Sequence, residues 1–201
     1  MIEIFKNGGP LMYPILFCSV IGWAIFLERL RAFTVIRRDM PPLLAKAEHI
    51  LGENRPADVI LLCQQSASPL AKILLAILKQ QGASRSHLKE VADEVGGREV
   101  VSLQRYLGLL GTIANIAPLL GLLGTVLGMI EAFNTIAALG VGTPATLGGG
   151  ISQALITTAA GLSVAVPMIL IHRYLCSRAE RLALEMEEYS LRFVDQFGRS
   201  D

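Results

Sequence analysis

The chain has 201 residues and a formal net charge of +1, from 18 Lys and Arg against 17 Asp and Glu. This balance argues against a nucleic-acid-binding surface, which requires a basic excess. Charged residues make up 17% of the chain and hydrophobic residues 52%, with a mean hydropathy of +0.51. The apolar residues are concentrated in blocks, and this pattern is typical of a membrane protein.

The cysteines give no indication of a metal site or a disulfide framework. Cys18, Cys63 and Cys176 are scattered singly, without a CxxC pair or a neighbouring histidine at ligand spacing. We also find no nucleophile–base set, no phosphate-binding loop and no metal cluster in the sequence. The sequence therefore predicts three inert thiols, no cofactor and no enzymatic activity.

The first apolar segment covers residues 10–27. The preceding residues 1–9 carry Glu3 and Lys6, so they lack the net positive charge of a signal peptide. No small-residue cleavage site follows, and the segment runs directly into Glu28 and Arg29. We expect it to remain as the first transmembrane helix.

Residues 28–106 are predicted to form a helical cytoplasmic insert. Clusters of Ser, Asn, Pro and Gly separate short amphipathic runs without strand alternation. Gly96 and Gly97 predict a weak point in the helix that leads into the second span. The expected breaks between helices lie at 52–56, 66–69 and 82–86.

The second and third spans are predicted at 107–133 and 151–174, joined by an uncharged connection at 134–150. Pro167 is expected to kink the third span. Arginines flank the inner end of each span and are absent from the connection. By the positive-inside rule, the N-terminus and the connection are periplasmic, whereas the insert and the C-terminus are cytoplasmic.

The third span is expected to continue as one helix through residues 175–201. Apolar residues recur there in alternating steps of four and three, which is coiled-coil spacing, between charged flanks. This stripe is predicted either to pack on the chain's own insert or to form an oligomer contact, and both can hold. Its members are Leu175, Ala179, Leu182, Met186, Tyr189 and Phe193.

Small residues form stripes along the second and third spans, an arrangement that allows two helix backbones to approach closely. On the second span the stripe contains Ala117, Gly121, Gly124 and Gly128. On the third span it contains Ala154, Gly161 and Ala165 together with Thr158. These stripes predict tight helix packing.

Two threonines in these spans have matched predicted depths. Thr125 and Thr158 lie near the middle of antiparallel apolar stretches, so their hydroxyls are expected near the bilayer centre. Such hydroxyls either pack against their own helices or line a path for an ion or a partner carboxylate. Thr157 and Gln153 lie on a separate face of the third span. We take all four as candidate ion-pathway or partner-facing residues.

The spans lack the titratable groups of a complete proton relay. No Asp, Lys, Arg or His lies in 10–27, 113–133 or 151–171, and Glu131 lies close to the outer end of the second span. If ions move along this path, a carboxylate must therefore come from another chain.

The sequence resembles the MotA/TolQ/ExbB proton-channel family, in its ExbB and TolQ branch. The motifs that carry the resemblance are APLLGLLGTVLGM at 117–129 and GISQALITTAAGLSVAVP at 150–167. The span order, the basic exit from the first span and the cytoplasmic insert agree with it. The resemblance implies an inner-membrane stator that uses the proton-motive force.

The resemblance also implies partners. It implies a homopentamer around the helices of two ExbD- or TolR-like subunits, whose intramembrane Asp takes and releases the proton. The work would reach a TonB- or TolA-like transducer, for outer-membrane import or envelope integrity. Thr125 and Thr158 correspond to the family threonines that face the partner helix. Gln153 occupies a position that is often Glu, and an amide cannot be an obligatory proton carrier.

Two alternative functions remain open at this stage. The first is a non-conducting scaffold that only holds partner helices, in which the threonines are packing groups. The second is a stator coupled to Na⁺, which the neutral oxygen ligands of Thr157, Ser163 and Gln153 would favour. In the proton-coupled mechanism, we expect the charged partner Asp to prefer a hydrated or threonine-lined site.

Overall fold

The computed structural model describes residues 5, 7–53, 55–139 and 144–197, and these residues contain helices and no β-strand. The all-α prediction is confirmed for this part of the chain. The helices, in chain order, are α1 (Met12–Gly52), α2 (Pro56–Gln65), α3 (Pro69–Lys79), α4 (Arg85–Leu103), α5 (Leu107–Leu139) and α6 (Pro144–Phe197).

The helix boundaries of the insert follow from local chemistry, as predicted. The first break begins where α1 ends at Gly52. Pro56 and Pro69 begin α2 and α3, because the missing amide of proline costs nothing at the first helical position. The Ser84 side chain caps α4 by accepting a hydrogen bond of 3.3 Å from the His87 amide.

The predicted weak point at Gly96 and Gly97 is wrong. Helix α4 runs through both glycines, and the interruption comes after Leu103, where Tyr106 has a φ of 67°. Leu88 and Ala92 of α4 are almost fully buried. Their packing outweighs the cost of about 1 kcal/mol per helical glycine.

The prediction of a loop at 134–150 is also largely wrong. Helix α5 extends through 134–139, and α6 already begins at Pro144. The segment is uncharged, Ala137 and Ala138 favour the continuation of α5, and Pro144 suits the first turn of a helix. The remaining connection, 140–143, lies outside the described residues.

The chain divides into two compact units. One contains the part up to Leu27 and Tyr106–Tyr174, and the other contains Glu28–Arg105 and the part from Leu175 onward. Helices α1 and α6 each contribute to both units. The prediction that the third span continues as one helix is confirmed as far as Phe197, and residues 198–201 lie outside the described residues.

The core of the second unit is built on α3 and on the end of α6. Helix α3 buries Leu70, Leu74 and Ile77 completely. In α6, five members of the predicted stripe are at most 3% exposed and Tyr189 is half-buried. Of the two roles predicted for the stripe, packing on the chain's own insert is the one that predicts this burial. The oligomer role of the stripe stays a prediction.

Two stretches of the described chain contain helix that is long and apolar enough to cross a membrane. They are Arg85–Ala138, which includes the turn between α4 and α5, and Gly148–Gln196. Their most apolar windows have mean hydropathies of 2.0 and 2.1, and only 33% and 28% of these windows are buried. Core helices of a soluble protein are mostly buried, so this exposure is typical of lipid or subunit contact. The predicted span 10–27 is not among these stretches.

Cys63 leads to a prediction on pH. The thiol is buried, which raises its pKa to about 11 because burial disfavours the thiolate. In the unfolded chain it ionises at about pH 8.5. Between these values the unfolded state binds fewer protons than the folded state, so the free energy of unfolding falls as pH rises. From pH 7.5 to pH 10.5, this one thiol is expected to lower that free energy by about 2 kcal/mol.

Denaturant titrations of the wild type and of Cys63→Ala at the two pH values test this. The wild type is expected to lose about 2 kcal/mol more than the variant over the interval. Equal losses in the two proteins would mean that the Cys63 thiolate is tolerated in the folded state.

Candidate functional site

The first unit contains a pair of closely packed helices, α5 and α6. A Cβ atom at Gly161 would lie 2.6 Å from the Ala117 carbonyl oxygen and 3.0 Å from the Gly121 Cα. A Cβ atom at Gly128 would lie 2.8 Å from the Gly150 carbonyl oxygen. These neighbours are backbone atoms, which cannot move aside as a side chain can. Only glycine allows the two backbones to approach this closely.

All seven small residues proposed for helix packing are buried, and six of them, all but Ala165, lie at this contact. Their order along the helices fixes the antiparallel register, since Gly161 meets Ala117, Gly124 meets Thr157, and Gly128 meets Ala154. A Cβ atom at Gly124 would overlap the Thr157 methyl group. The structure thus brings both predicted stripes together along one interface.

A hydrogen bond crosses this interface from Thr158. Its hydroxyl donates to the Gly121 carbonyl oxygen at 2.9 Å. The same carbonyl is the helical acceptor for the amide of residue 125, so the bond joins the two candidate threonines through one peptide group. Thr125 itself donates its hydroxyl to the Leu122 carbonyl at 2.6 Å. Both threonines are partly exposed and lie within about one helical turn of each other in depth.

Thr157 and Gln153 face the segment before α1. The Thr157 hydroxyl is 1% exposed and lies 2.7 Å from the Gly8 carbonyl oxygen, with the Gln153 carbonyl oxygen at 2.8 Å. The Gln153 side chain packs directly on Gly9, whose φ is +71°. The chain's own N-terminal segment therefore covers this face of α6, whereas Thr158 lies at the α5–α6 contact and Thr125 bonds within α5.

Two features of the site were missed by the sequence reasoning. The first is the Gly8–Gly9 turn, which sequence patterns signal only through its two consecutive glycines. The second is His172, one residue beyond the uncharged stretch 151–171. Its ring packs against Gly111, where an added Cβ would lie 3.0 Å from the His172 Nε2.

The end of the helix pair that contains Glu131 and Gly150 has a polar cavity of about 500 Å³. Glu131, Thr135 and Gln153 are among its lining residues. Glu131 is exposed there, and the other described polar groups of the lining are neutral. The cavity therefore places one carboxylate among neutral polar groups beside α5 and α6.

The turn at Gly9 leads to a prediction. In Gly9→Ala the side chain meets both a strained φ of +71° and the Gln153 amide. The strain alone costs about 1–2 kcal/mol. We expect a loss of more than this in the free energy of unfolding, measured in detergent. In a Gln153→Ala background, the loss should fall to the strain alone. An equal loss in both backgrounds would show that Gln153 does not press on Gly9.

Comparison with known proteins agrees with this geometry. Residues 65–188 match the MotA/TolQ/ExbB proton channel family. This range includes all of α5, and α6 as far as residue 188. This match covers more than half of the chain.

Several individual proteins are similar over most of the chain. A biopolymer transport protein ExbB of Vibrio cholerae is 32% identical, over 96% of this chain and 86% of its own length. An ExbB homologue of Methanothermobacter thermautotrophicus is 31% identical over 90% of this chain. The alignment spans only 64% of that relative's length. The Tol-Pal system protein TolQ of Haemophilus influenzae is 36% identical over 50% of this chain and 42% of its own length. The chain belongs to the MotA/TolQ/ExbB proton channel family.

Proposed function

We propose that the chain is the multi-pass subunit of an inner-membrane stator that conducts protons together with a single-span, Asp-bearing partner of the ExbD or TolR type. The partner-dependent flow would drive a TonB- or TolA-like transducer. The observation that carries this proposal is the Thr158 hydroxyl, bonded to Gly121 across a helix pair whose apolar centre has no charged group.

The hydrogen bonds of the threonines suggest what they offer a partner. A threonine hydroxyl has one hydrogen, and Thr158 and Thr125 each donate theirs to a carbonyl of the same chain. Their oxygens can still accept a hydrogen bond. A protonated carboxylic acid can donate to such an oxygen, whereas an ionised carboxylate cannot.

These hydrogen bonds favour the opposite of one expectation from the sequence, namely that the charged partner Asp prefers the threonine-lined site. The threonine site suits the neutral partner Asp better than the charged one, because the hydroxyl hydrogens are already engaged. We propose that the Asp takes its proton at the hydrated outer end, near Glu131, and passes the threonines in its neutral form. Release of the proton on the cytoplasmic side then restores the negative charge of the partner Asp and gives the proton transfer one direction.

We also propose the predicted topology, with three spans, a periplasmic N-terminus and a cytoplasmic C-terminus. The start of α1 supports the additional span, since it exposes large apolar residues on one face at helical spacing. This exposed face contains Tyr13, Leu16, Phe17, Val20, Trp23 and Leu27. The opposite face of the same segment buries Ile15 and Ile25.

Proton uptake into vesicles tests the proposed function. Vesicles that contain the chain together with an ExbD- or TolR-type subunit should acidify inside when the outer pH is lowered, as followed with an enclosed pH-sensitive dye. Vesicles with either subunit alone should not. If the vesicles with both subunits are as proton-tight as empty ones, the chain is not part of a proton channel.

A non-conducting scaffold is the second candidate, since every hydroxyl of Thr125, Thr157 and Thr158 has an intramolecular acceptor. A scaffold would give vesicles that contain both subunits but remain proton-tight. A sodium gradient at fixed pH distinguishes the Na⁺-coupled stator from the proton-coupled stator and from the scaffold. Only the Na⁺-coupled stator predicts that sodium ions enter the vesicles along this gradient.

A further inference from the structure

The continuation of α6 beyond Tyr174 presents an exposed face that the packing within the chain does not use. Glu180, Leu184 and Glu187 lie at positions i, i+4 and i+7, so they share one side of the helix. All three are exposed, and Leu184 is 64% exposed. Leu184 thus exposes an apolar side chain to solvent between two carboxylates.

A groove runs beside this face within the second unit. It is a cavity of about 650 Å³ between α4 and α6, and its described lining residues include Asp93 but no basic side chain. Gly96 and Gly97 form part of its wall. A Cβ at Gly97 would meet no atom within 4 Å, and one at Gly96 would meet only Ile73, at 3.7 Å. Packing within the chain therefore does not require glycine at either position.

Helix α1 presents a face of the opposite charge. Arg31, Val35 and Arg38 again lie at positions i, i+4 and i+7. Val35 is 51% exposed and the Arg38 side chain is 87% exposed. The spacing equals that of the α6 face, with two guanidinium groups in place of the carboxylates.

The two faces also lie at matching distances along their helices. Helix α1 leaves the first unit after Leu27, and α6 leaves it after Tyr174. Arg31 is the fourth residue beyond Leu27 and Glu180 is the sixth beyond Tyr174, a difference of about 3 Å along a helix. If both helices run from the membrane into the cytoplasm, they are parallel, and each Arg of one face meets a Glu of the other.

We propose that the α1 face of one subunit docks against the α6 face and groove of a second copy of this chain. Arg31 pairs with Glu180, Arg38 pairs with Glu187, and Val35 packs against Leu184. The contact joins different surfaces of identical subunits, so its repetition generates a ring where the rotation between neighbours closes. The inference rests on the proposed membrane topology. It assigns the subunit contact to exposed residues, whereas the apolar stripe of α6 is already buried within its own chain.

Cysteine cross-linking in membranes tests this contact. In a background in which Cys18, Cys63 and Cys176 are replaced by alanine, Val35→Cys and Leu184→Cys are combined in one full-length chain. Mild oxidation should give a ladder of covalent dimers and larger species, because a disulfide forms only between closely placed residues. Each single cysteine variant should remain monomeric on the same gel.

Arg37 provides the matched control. It is exposed on α1 at nearly the same depth as Val35 but points about 160° away. Arg37→Cys with Leu184→Cys should give little cross-linked product. Three outcomes would each overturn the proposal. They are equal ladders from both cysteine pairs, no ladder from the Val35 pair, and a Leu184→Cys adduct with another protein instead of a second copy.

Charge exchange tests the pairing itself. Arg38→Glu or Glu187→Arg alone, in the Val35 and Leu184 cysteine background, should reduce the yield of cross-linked dimer by about fivefold. The two changes combined should restore it. A double variant that cross-links no better than the singles would refute the pair. Loss of the ladder while the wild type still takes up protons would reject this interface and leave the stator function standing.

Discussion

Replacing Thr158 by valine is expected to reduce partner-dependent proton uptake about tenfold or more while leaving the helix pair folded. Valine has nearly the same shape but no oxygen, so a partner carboxylic acid loses its acceptor in an apolar place, a loss of about 1–3 kcal/mol. The Gly121 carbonyl keeps its helical hydrogen bond, and stability should therefore fall by only about 1 kcal/mol. The dye-loaded vesicles with both subunits provide the measurement.

Thr112 and a conservative variant provide the controls. The Thr112 hydroxyl donates to the Gly108 carbonyl within its own helix, at 2.9 Å, and Thr112 is exposed. Thr112→Val should retain uptake, and Thr158→Ser should retain most of it. Full uptake in Thr158→Val, or an equal loss in Thr112→Val, would show that the Thr158 oxygen has no part in conduction.

The sequence predicted the helices of the insert well because their ends depend on local chemistry. The proline starts of α2 and α3 and the serine cap of α4 act within one helical turn, so they can be read from neighbouring residues. Gly96 and Gly97 misled the same reasoning, because α4 packs on the neighbouring helix α3 and buries Leu88 and Ala92. Helical periodicity alone could not show which neighbours would supply that packing.

The candidate site was predictable only in part. Small-residue spacing indicated that α5 and α6 approach closely, and counting from the span centres put Thr125 and Thr158 at similar depth. The bond from Thr158 to Gly121 depends on the rotation of one helix against the other, which spacing does not determine. The cover that Gly8 and Gly9 provide over Thr157 and Gln153 joins residues far apart in the chain.

The close contact of α5 and α6 also leads to the second large expected effect, in Gly161→Ala. The added methyl would lie 2.6 Å from the Ala117 carbonyl oxygen and 3.0 Å from the Gly121 Cα, so a backbone must shift. Overpacking of this kind costs about 1–3 kcal/mol, which exceeds the gain of up to about 1 kcal/mol in helix propensity. We expect unfolding at a lower mole fraction of dodecyl sulfate in mixed micelles, followed by circular dichroism.

Gly108→Ala is the matched control for this contact. It lies in the same pair of helices, but a Cβ there meets nothing within 4 Å, so its stability should stay equal or rise. Since Gly161 lies less than one turn from Thr158, the forced shift should also separate the hydroxyl from the Gly121 carbonyl and lower proton uptake. If Gly161→Ala instead resisted dodecyl sulfate as well as Gly108→Ala did, the backbones would not be in close contact. The threonine site would then lack the close backbone contact on which the proposed function rests.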